Sequence, residues 1–181
     1  AIDKADAVFG LHLMQSLEKG KIGYAYGPML ASSDDFRIVI KGKGGHGSAP
    51  QDTVDPTYIA GHILLGLQSI VSRRISPVQP AVISVGQLTA GSNYNIIPNE
   101  AFITGTIRTI SEETRQFIFG EMKKLAEGIC ATFGAQAEVS YILGTPPLVN
   151  DKEMSRFAEG VVRECYGDEV AVEVEPVMGA E

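Results

Sequence analysis

The chain has 181 residues, a formal net charge of −7, 44% hydrophobic residues and 20% charged residues. This length and composition predict a soluble globular protein of one domain or slightly more. Phosphate binding requires a basic surface, so an excess of 22 acidic over 15 basic residues argues against a nucleic-acid-binding protein. There is no apolar run long enough for a membrane span and no charged, apolar leader, which argues against membrane insertion and secretion.

Cysteine usage and the two ends of the sequence complete this first picture. Cys130 and Cys165 lie far apart and match no metal-ligand spacing, so we interpret them as reduced thiols of a cytoplasmic protein. The chain opens on Ala1 rather than methionine and stops at "PVMGAE" without a tail. We therefore expect both ends to be cut from a longer protein.

The first predicted element is a buried parallel strand, "ADAVFGLHL", which ends near His12. The glycine-rich segment "EKGKIGYAYGPMLASS" is interpreted as irregular. The next segment, "DDFRIVIKGK", alternates between apolar and polar residues and predicts a strand with Phe36, Ile38 and Ile40 on one face. It leads into "KGKGGHGSAP", a glycine loop that contains His46, one of only three histidines.

Two amphipathic helices and three more strands follow the glycine loop. The first helix is predicted to start with Asp55 as its cap and Pro56 at its first position, and to end at Arg73-Arg74. Ser111 is the predicted cap of the second helix, and Gly134 its stop. The strands are "AVISVGQLTAG", "NEAFITGTIRT" and "AQAEVSYIL", with the first two separated by the long polar loop "GSNYNIIPN".

The order of elements from Asp34 to Leu143 is β-α-β-β-α-β. This order predicts a ferredoxin-like α+β unit, a four-stranded antiparallel sheet with two helices on one face. It is followed by a linker, "GTPPLVND", by an amphipathic helix over residues 151–164, and by a last strand, "VAVEVEP". The apolar residues of that helix are expected to face inward: Met154, Phe157, Ala158, Val161 and Val162.

The segments on either side of this unit cannot fold alone, because a single strand leaves its backbone groups unpaired. We therefore expect them to belong to a second domain with an α/β fold, most of which lies outside this sequence and into which the central unit is inserted. The predicted division is 1–33 for the first piece of that domain and a linker, 34–145 for the inserted domain, and 146–181 for the second piece.

Two histidines are candidates for chemistry. His12 lies where ligands gather in open α/β sheets, at the carboxyl end of a strand, but spacing alone favours a core histidine bonded to a carbonyl, because no second metal ligand lies nearby. The glycines around His46 leave its imidazole unshielded and suggest a flexible mount, from which it can bind an oxyanion or shuttle a proton. The alternative is an incidental histidine in a hairpin or helix-entry loop.

Three further polar residues have weaker signals. Asn95 can donate to a carboxylate or carbonyl, or can form a local Asx turn. Arg108 shares a strand face with two threonines, where it can bind a substrate carboxylate or remain solvated. His62 lies on the polar side of its helix and is interpreted as solvated.

Several of these segments together resemble the M20 metallopeptidase family in their order and spacing. They are "VFGLHL", "IKGKGGHGSAP", "TVDPTYIAGHILLGLQSIVSR", "VGQLTAGSNYNIIPNEAFITGTIRT" and "PVMGAE". The resemblance is strongest to the amidohydrolase branch, which contains hippurate hydrolase, N-acyl-amino-acid amidohydrolases and auxin-conjugate hydrolases. It implies a zinc-peptidase catalytic domain with an inserted ferredoxin-like lid that also mediates dimerisation.

The resemblance also implies roles for five residues. His12 corresponds to a ligand of a two-metal centre, and His46 to a lid histidine that reaches the partner subunit's site and polarises the scissile carbonyl. Asn95 and Arg108 correspond to lid positions that meet the polar end of the substrate, and Glu181 to an acidic residue near the active site. The implied cofactors are two divalent ions, zinc, manganese, cobalt or nickel, in the complete enzyme.

The chain also departs from the family pattern. It lacks the Cys-His-Met-Cys-Gly-His-Asp stretch, the Glu-Glu pair and the late histidine ligand, and Gln51 stands where relatives often have histidine. One imidazole cannot hold a catalytic metal, so no fully coordinated ion is expected at His12 and the isolated chain is expected to be inactive.

The predicted function of the parent protein is metal-dependent hydrolysis of the amide bond of N-acyl amino acids. The alternatives are an aminoacyl or dipeptide peptidase of the same family and a non-catalytic dimerisation or binding module. The predicted partners are a small N-acyl amino acid or peptide-like substrate and further copies of the chain, in a homodimer or homotetramer formed through the lid. We also expect His46 to lie far from His12, because the strand from Asp34 to Lys41 alone spans roughly 26 Å.

Overall fold

A computed structural model describes residues 4–180. Within these residues the chain forms ten short or long strands and three α-helices. In chain order they are β1 (Ile22–Tyr24), β2 (Pro28–Leu30), β3 (Asp34–Lys41), β4 (Gly45–His46), α1 (Pro56–Ser69), β5 (Ala81–Ala90), β6 (Ile96–Ile97), β7 (Glu100–Thr109), α2 (Glu112–Thr132), β8 (Gln136–Leu143), β9 (Leu148–Val149), α3 (Lys152–Tyr166) and β10 (Ala171–Glu173). None of these helices is long and apolar enough to cross a membrane.

The central unit, residues 34–143, has the predicted ferredoxin-like fold. Its sheet has four strands in the order β5-β7-β3-β8, and every neighbouring pair is antiparallel. The alternation in β3 correctly predicted which face of the strand is buried, because Phe36, Ile38 and Ile40 lie beneath the helices. Burial of these branched side chains against α1 and α2 supplies the main apolar stabilisation of the chain.

Both helices of the central unit begin at their predicted caps. The Asp55 carboxylate accepts hydrogen bonds from the backbone N–H groups of Thr57 and Tyr58, at 2.8 and 3.3 Å, with Pro56 at the first helical position. Ser111 Oγ accepts from the N–H of Thr114. A π-helical segment, Ile70–Arg74, continues α1 to the predicted Arg73-Arg74 end. Gly134 follows α2 with a φ of +76°, a conformation that favours glycine.

A buried ion pair fixes the base of the central unit, where β3 begins and β8 ends. The Arg115 guanidinium of α2 donates to both carboxylate oxygens of Asp34, at 2.6 and 2.8 Å. The same carboxylate accepts from the N–H of Gly144, the residue after β8. Bonding to Asp34 raises the pKa of Arg115, so the pair remains charged. Three segments that are distant in sequence are thereby held together at one point.

The flanking segments, residues 4–33 and 144–180, differ from the prediction at several places. The segment "ADAVFGLHL" forms no strand, and Leu11 and Leu13 are each 96% exposed. A strand requires a neighbouring strand to complete its hydrogen-bond ladder, and none of the strands within residues 4–180 pairs with this segment. The region read as irregular contains β1 and β2, and the linker after β8 contains β9. These short strands pair across the two flanks, β1 with β10 and β2 with β9.

Helix α3 also differs from the prediction, since its polar face is the one that packs within the chain. The Glu159 carboxylate accepts hydrogen bonds from the Tyr24 hydroxyl at 2.8 Å, from the Tyr26 hydroxyl and from Arg163 Nε at 2.9 Å. These bonds lower the pKa of Glu159, and the bond to Glu159 raises the pKa of Tyr26 to about 12. The predicted inward residues are instead largely exposed, and Phe157 is 61% exposed. Periodicity correctly identified the apolar face, but residues 4–180 leave most of it exposed, apart from the ring of Phe9, whose centroid lies 6.3 Å from that of Phe157.

Candidate functional site

The loop around His46 is half of a two-stranded ribbon rather than a free loop. Strand β4 pairs with β6 so that Gly45 lies opposite Ile97 and His46 opposite Ile96. The N–H of Gly47 donates to the carbonyl of Asn95 at 2.8 Å, which extends the pairing by one residue. We call residues 42–47 and 95–99 the His46 ribbon. It joins the two loops that the sequence treats as separate, "KGKGGHGSAP" and "GSNYNIIPN".

The glycines of this ribbon allow two backbones to approach closely, which differs from the flexible mount that the sequence suggests. A Cβ added to Gly44 would lie 2.5 Å from the carbonyl oxygen of Ile97, and one added to Gly47 would lie 3.0 Å from that of Asn95. Neither glycine has a positive φ, so conformational freedom is not what the position requires. The glycine run therefore holds His46 in a defined place through packing.

The side chain of His46 is exposed, and its Nδ1 atom is already engaged. The backbone N–H of Ser48 donates to Nδ1 at 3.2 Å, and the Ser48 hydroxyl lies 2.7 Å from the same atom. A backbone N–H can only donate, so Nδ1 is the acceptor and the proton of the neutral imidazole lies on Nε2. The exposed edge of the ring thus presents a hydrogen-bond donor, as stabilisation of an oxyanion requires.

Asn95 lies on the same ribbon as His46, whereas Arg108 lies at the other end of the sheet. The Asn95 side chain is exposed, and its backbone carbonyl is bound to Gly47. Arg108 is half-buried and pairs with Val82 near the base of β7. At the usual rise per residue, the eight steps from Glu100 to Arg108 span about 27 Å. The structure therefore places the backbones of His46 and Asn95 on one ribbon and separates Arg108 from both.

The side chains of Asn95 and Arg108 form no hydrogen bond or ion pair with the residues that the structure describes. Each therefore retains its full bonding capacity for a ligand.

His62, which the sequence reads as solvated, is exposed but is also part of an aromatic cluster. Its ring centroid lies 4.6 Å from that of Tyr58 and 5.2 Å from that of Phe133. This packing gives His62 a structural role that its spacing did not indicate.

The metal-site predictions depend on residues at the two ends of the chain. His12 is exposed in the first flank, and Glu181 lies outside the described residues. Residues 4–180 contain no group of three or more His, Cys, Asp or Glu side chains placed to hold a metal ion. A catalytic zinc requires three protein ligands. The described residues therefore do not by themselves fit a two-metal centre.

Sequence reasoning missed two features of this site, Ser48 as the partner of Nδ1 and Ile96 as the cross-strand neighbour of His46. A serine two residues after a histidine, as in "HGS", is close enough for such a local hydrogen bond and was the available signal for the first. The pairing with Ile96 had no local signal, because His46 and Ile96 are fifty positions apart in the chain. It depends on how the two loops pair.

The fold and the ribbon define an α+β domain with a ferredoxin-like topology, joined at its base to flanks that pair with each other. Residues 30–132 match the peptidase dimerisation domain of the M20 family. The chain therefore belongs to the M20 peptidase family, as its motifs predicted.

Individual relatives agree with this assignment. The chain is 46% identical over 150 residues to the N-acetylcysteine deacetylase of Bacillus subtilis strain 168, an alignment that covers 83% of this chain and 40% of that protein. It is 40% identical over 177 residues to thermostable carboxypeptidase 2 of Saccharolobus solfataricus, covering 97% of this chain and 44% of that protein. The chain thus spans less than half the length of either relative.

A solved structure supports the same fold. The dinuclear metal-binding peptidase YXEP of Bacillus subtilis, from the M20 family, superposes with a TM-score of 0.79 at 36% sequence identity. The alignment covers 99% of this chain and 44% of that one. Central unit and flanks are therefore both included in the match.

Proposed function

We propose that the protein to which this chain belongs hydrolyses the amide bond of N-acyl amino acids, and that residues 34–145 form its lid. The observation that carries the proposal is the fixed donor at His46 Nε2, in a chain 46% identical to an N-acetylcysteine deacetylase. Residues 1–33 and 146–181 would belong to the catalytic domain. The exposed apolar residues of the flanks support this division, because they would be buried once that domain is complete.

In the proposed reaction, His46 acts on the carbonyl of the scissile amide. Its Nε2–H donates to the carbonyl oxygen and strengthens that bond as the oxygen gains negative charge in the tetrahedral intermediate. Ser48 keeps Nδ1 as an acceptor and so maintains the proton on the productive nitrogen. His46 is then a catalytic residue, and Ser48 is a positioning residue that acts through it.

The separation along the sheet divides the lid residues between two sites. His46 and Asn95 are held at the distal end of the central unit, whereas Arg108 lies near the base, where the flanks attach. We therefore place His46 and Asn95 in the site of a neighbouring subunit and Arg108 beside the catalytic piece of its own chain. This arrangement requires at least a homodimer, and a homotetramer built from such dimers also satisfies it.

Metal dependence is proposed for the complete enzyme, with two divalent ions of unspecified identity. The M20 structure similar to this chain is described as dinuclear. His12 would supply one ligand, and the remaining ligands would come from outside this chain. The cytoplasmic location remains a prediction.

The main alternative is a peptidase of the same family, because the chain is also 40% identical to a carboxypeptidase. Both reactions cleave an amide next to a carboxylate, so they require the same donor at the carbonyl oxygen. A non-catalytic dimerisation module is the remaining alternative. It gives no reason for a fixed Nε2 donor on an exposed ribbon.

The test is a substrate panel on the complete protein, with and without a chelator. We expect release of free amino acid from N-acyl amino acids, loss of activity on chelation, and little cleavage of unblocked dipeptides. His46→Ala should lower kcat about 10²- to 10³-fold, as for other oxyanion donors. The matched control is His62→Ala, another exposed histidine of the lid, which should change kcat little. Preferential cleavage of dipeptides would favour the peptidase instead, and inactivity on both classes would favour the module.

A further inference from the structure

The cross-strand neighbour of His46 is an exposed isoleucine. Ile96 lies directly opposite His46 in the β4–β6 pair. Directly opposed residues of an antiparallel pair project from the same face, with Cβ atoms about 4.5–5.5 Å apart. Any group that approaches the His46 ring from that face therefore also approaches Ile96.

Ile96 and Tyr94 offer apolar surface at this position. Ile96 is 53% exposed, and the Tyr94 side chain, two residues earlier, is fully exposed. Isolated exposed apolar residues are common, so their exposure alone indicates nothing. The position of Ile96 is informative, because the β4–β6 pair fixes it opposite His46, and Tyr94 lies two residues before it.

An open cleft of about 250 Å³ lies beside the ribbon, and Tyr94 and Ile96 both line it, whereas His46 lies next to it without lining it. Asp55 and Thr57 line the other side, where α1 begins. The cleft therefore combines apolar surface, from Tyr94 and Ile96, with the polar groups at the start of α1.

The charge of the cleft indicates which part of a substrate it accepts. The N–H groups at the start of α1 could bind a carboxylate, but the Asp55 side chain already accepts from two of them. The negative charge of Asp55 also disfavours a second carboxylate nearby. The α-carboxylate of an N-acyl amino acid is thus poorly suited to this cleft, whereas an uncharged acyl group is well suited to it.

We propose that Ile96 and Tyr94 are specificity-determining residues that contact the acyl group of the substrate and favour aromatic or long aliphatic acyl groups over acetyl. This inference rests on the proposed function. His46 holds the carbonyl oxygen, and the acyl substituent leaves the same carbon toward Ile96. The β-branched side chain of Ile96 is stiff, so the wall that it forms is preorganised.

The test measures selectivity on the complete, metal-loaded enzyme. The probes are N-acetyl-, N-hexanoyl- and N-benzoyl-alanine, and the readout is kcat/KM from release of alanine. In Ile96→Thr, which keeps the β-branch but adds a hydroxyl, we expect the benzoyl-to-acetyl ratio of kcat/KM to fall about tenfold. Tyr94→Ala should lower the same ratio, and its fully exposed side chain makes this variant safe for folding.

The control is Ile142→Thr, the same substitution at an exposed isoleucine of β8 near the base of the sheet. The benzoyl-to-acetyl ratio of kcat/KM for Ile142→Thr should equal that of the wild type. A ratio between two substrates on one preparation is insensitive to partial unfolding, so a purely structural effect would leave it unchanged.

Each other outcome contradicts the proposal in a recognisable way. An unchanged acyl ratio in both Ile96→Thr and Tyr94→Ala, with wild-type hydrolysis intact, overturns the inference but leaves the proposed function standing. A second series, N-benzoyl-glycine, -alanine and -leucine, identifies a misassigned contact. If selectivity changes there and not in the acyl series, the residues contact the amino acid and the proposal is wrong. Failure of the wild type on every N-acyl amino acid removes the proposed function and this inference together.

Discussion

The central unit and the flanking segments contain similar amphipathic patterns but bury them differently. Helix α1 places Ile59, Ile63 and Leu67 fully inside the core, whereas α3 leaves Phe157 and Val161 exposed. The difference lies in the partners, because α1 packs on a four-stranded sheet and α3 on β1 and β10, which have three residues each. Periodicity thus reports which face of a helix is apolar, but it does not report whether the same chain covers that face.

The two regions also differ in the polar contacts that hold each of them together. Polar contacts such as Tyr24 with Glu159 hold the flanks together, and they are partly open to solvent. The base of the central unit has instead a fully buried carboxylate, Asp34, bonded to Arg115. Substitutions in the two regions should therefore have effects of clearly different size.

The largest effect is expected at the buried ion pair. Asp34→Ala leaves the buried Arg115 guanidinium with only Glu112, a half-exposed carboxylate, as its partner, which should lower the free energy of unfolding by about 3–5 kcal/mol. Asp35→Ala is the matched control, since the next residue of β3 is exposed. Urea unfolding of the two variants measures the difference. Equal stabilities would show that the pair does not hold the base.

A smaller loss is expected when one core side chain is shortened. Ile63→Ala removes a fully buried side chain of α1 and should cost about 2–5 kcal/mol. Phe157→Ala on α3 removes more atoms, but from an exposed position, and should cost less than about 0.5 kcal/mol. A large loss for Phe157→Ala in the same unfolding assay would mean that its ring contact with Phe9 stabilises the fold, contrary to the prediction.

The His46 ribbon should respond to an added methyl group by about 1–3 kcal/mol. In Gly44→Ala the new Cβ meets the Ile97 carbonyl, so the two backbones must separate. Gly61→Ala on α1 meets no atom within 4 Å and should stabilise the helix by up to about 1 kcal/mol. Chemical denaturation of both variants tests the prediction. If Gly44→Ala is neutral, the glycines are required for some reason other than close packing.

The smallest effect concerns pH and the flanks. The pKa of Glu159 is lowered in the folded protein, so the hydrogen bonds of its carboxylate stabilise the flanks at pH values above the ordinary glutamate pKa. That contribution is lost as the pH falls through the lowered value. Protection of the β1 amides against hydrogen exchange, corrected for the intrinsic rate at each pH, should therefore fall relative to that of β7 once the pH is below the ordinary glutamate pKa. Glu159→Gln should remove the pH dependence, and its persistence in that variant would assign the effect to another group.

Most of the central unit could be predicted from sequence, because its determinants are local. Asp55 and Ser111 are caps within one turn of the groups that they bind, and alternation in β3 identifies its buried face. The ion pair between Asp34 and Arg115 could not be predicted in this way, because its partners are 81 positions apart.

The candidate site was predicted only in part, for the same reason. His46 and Asn95 were identified by motif, and the structure explains their proximity through the β4–β6 pair. The glycines were interpreted as flexible, because close backbone contact is visible only when both strands are known. The first segment was predicted as a strand from its composition, but strand formation depends on a partner, and composition carries no information about that.

The most direct test of the central claim, that His46 serves a neighbouring subunit, is complementation on the complete enzyme. His46→Ala subunits are mixed with His12→Ala subunits under conditions that exchange subunits, and amide hydrolysis is measured. Each parent should be nearly inactive, and the mixture should recover about a quarter of wild-type activity, because half of the dimers are hybrids with one intact site. No recovery despite demonstrated hybrid formation would show that His46 acts in its own subunit or has no catalytic role.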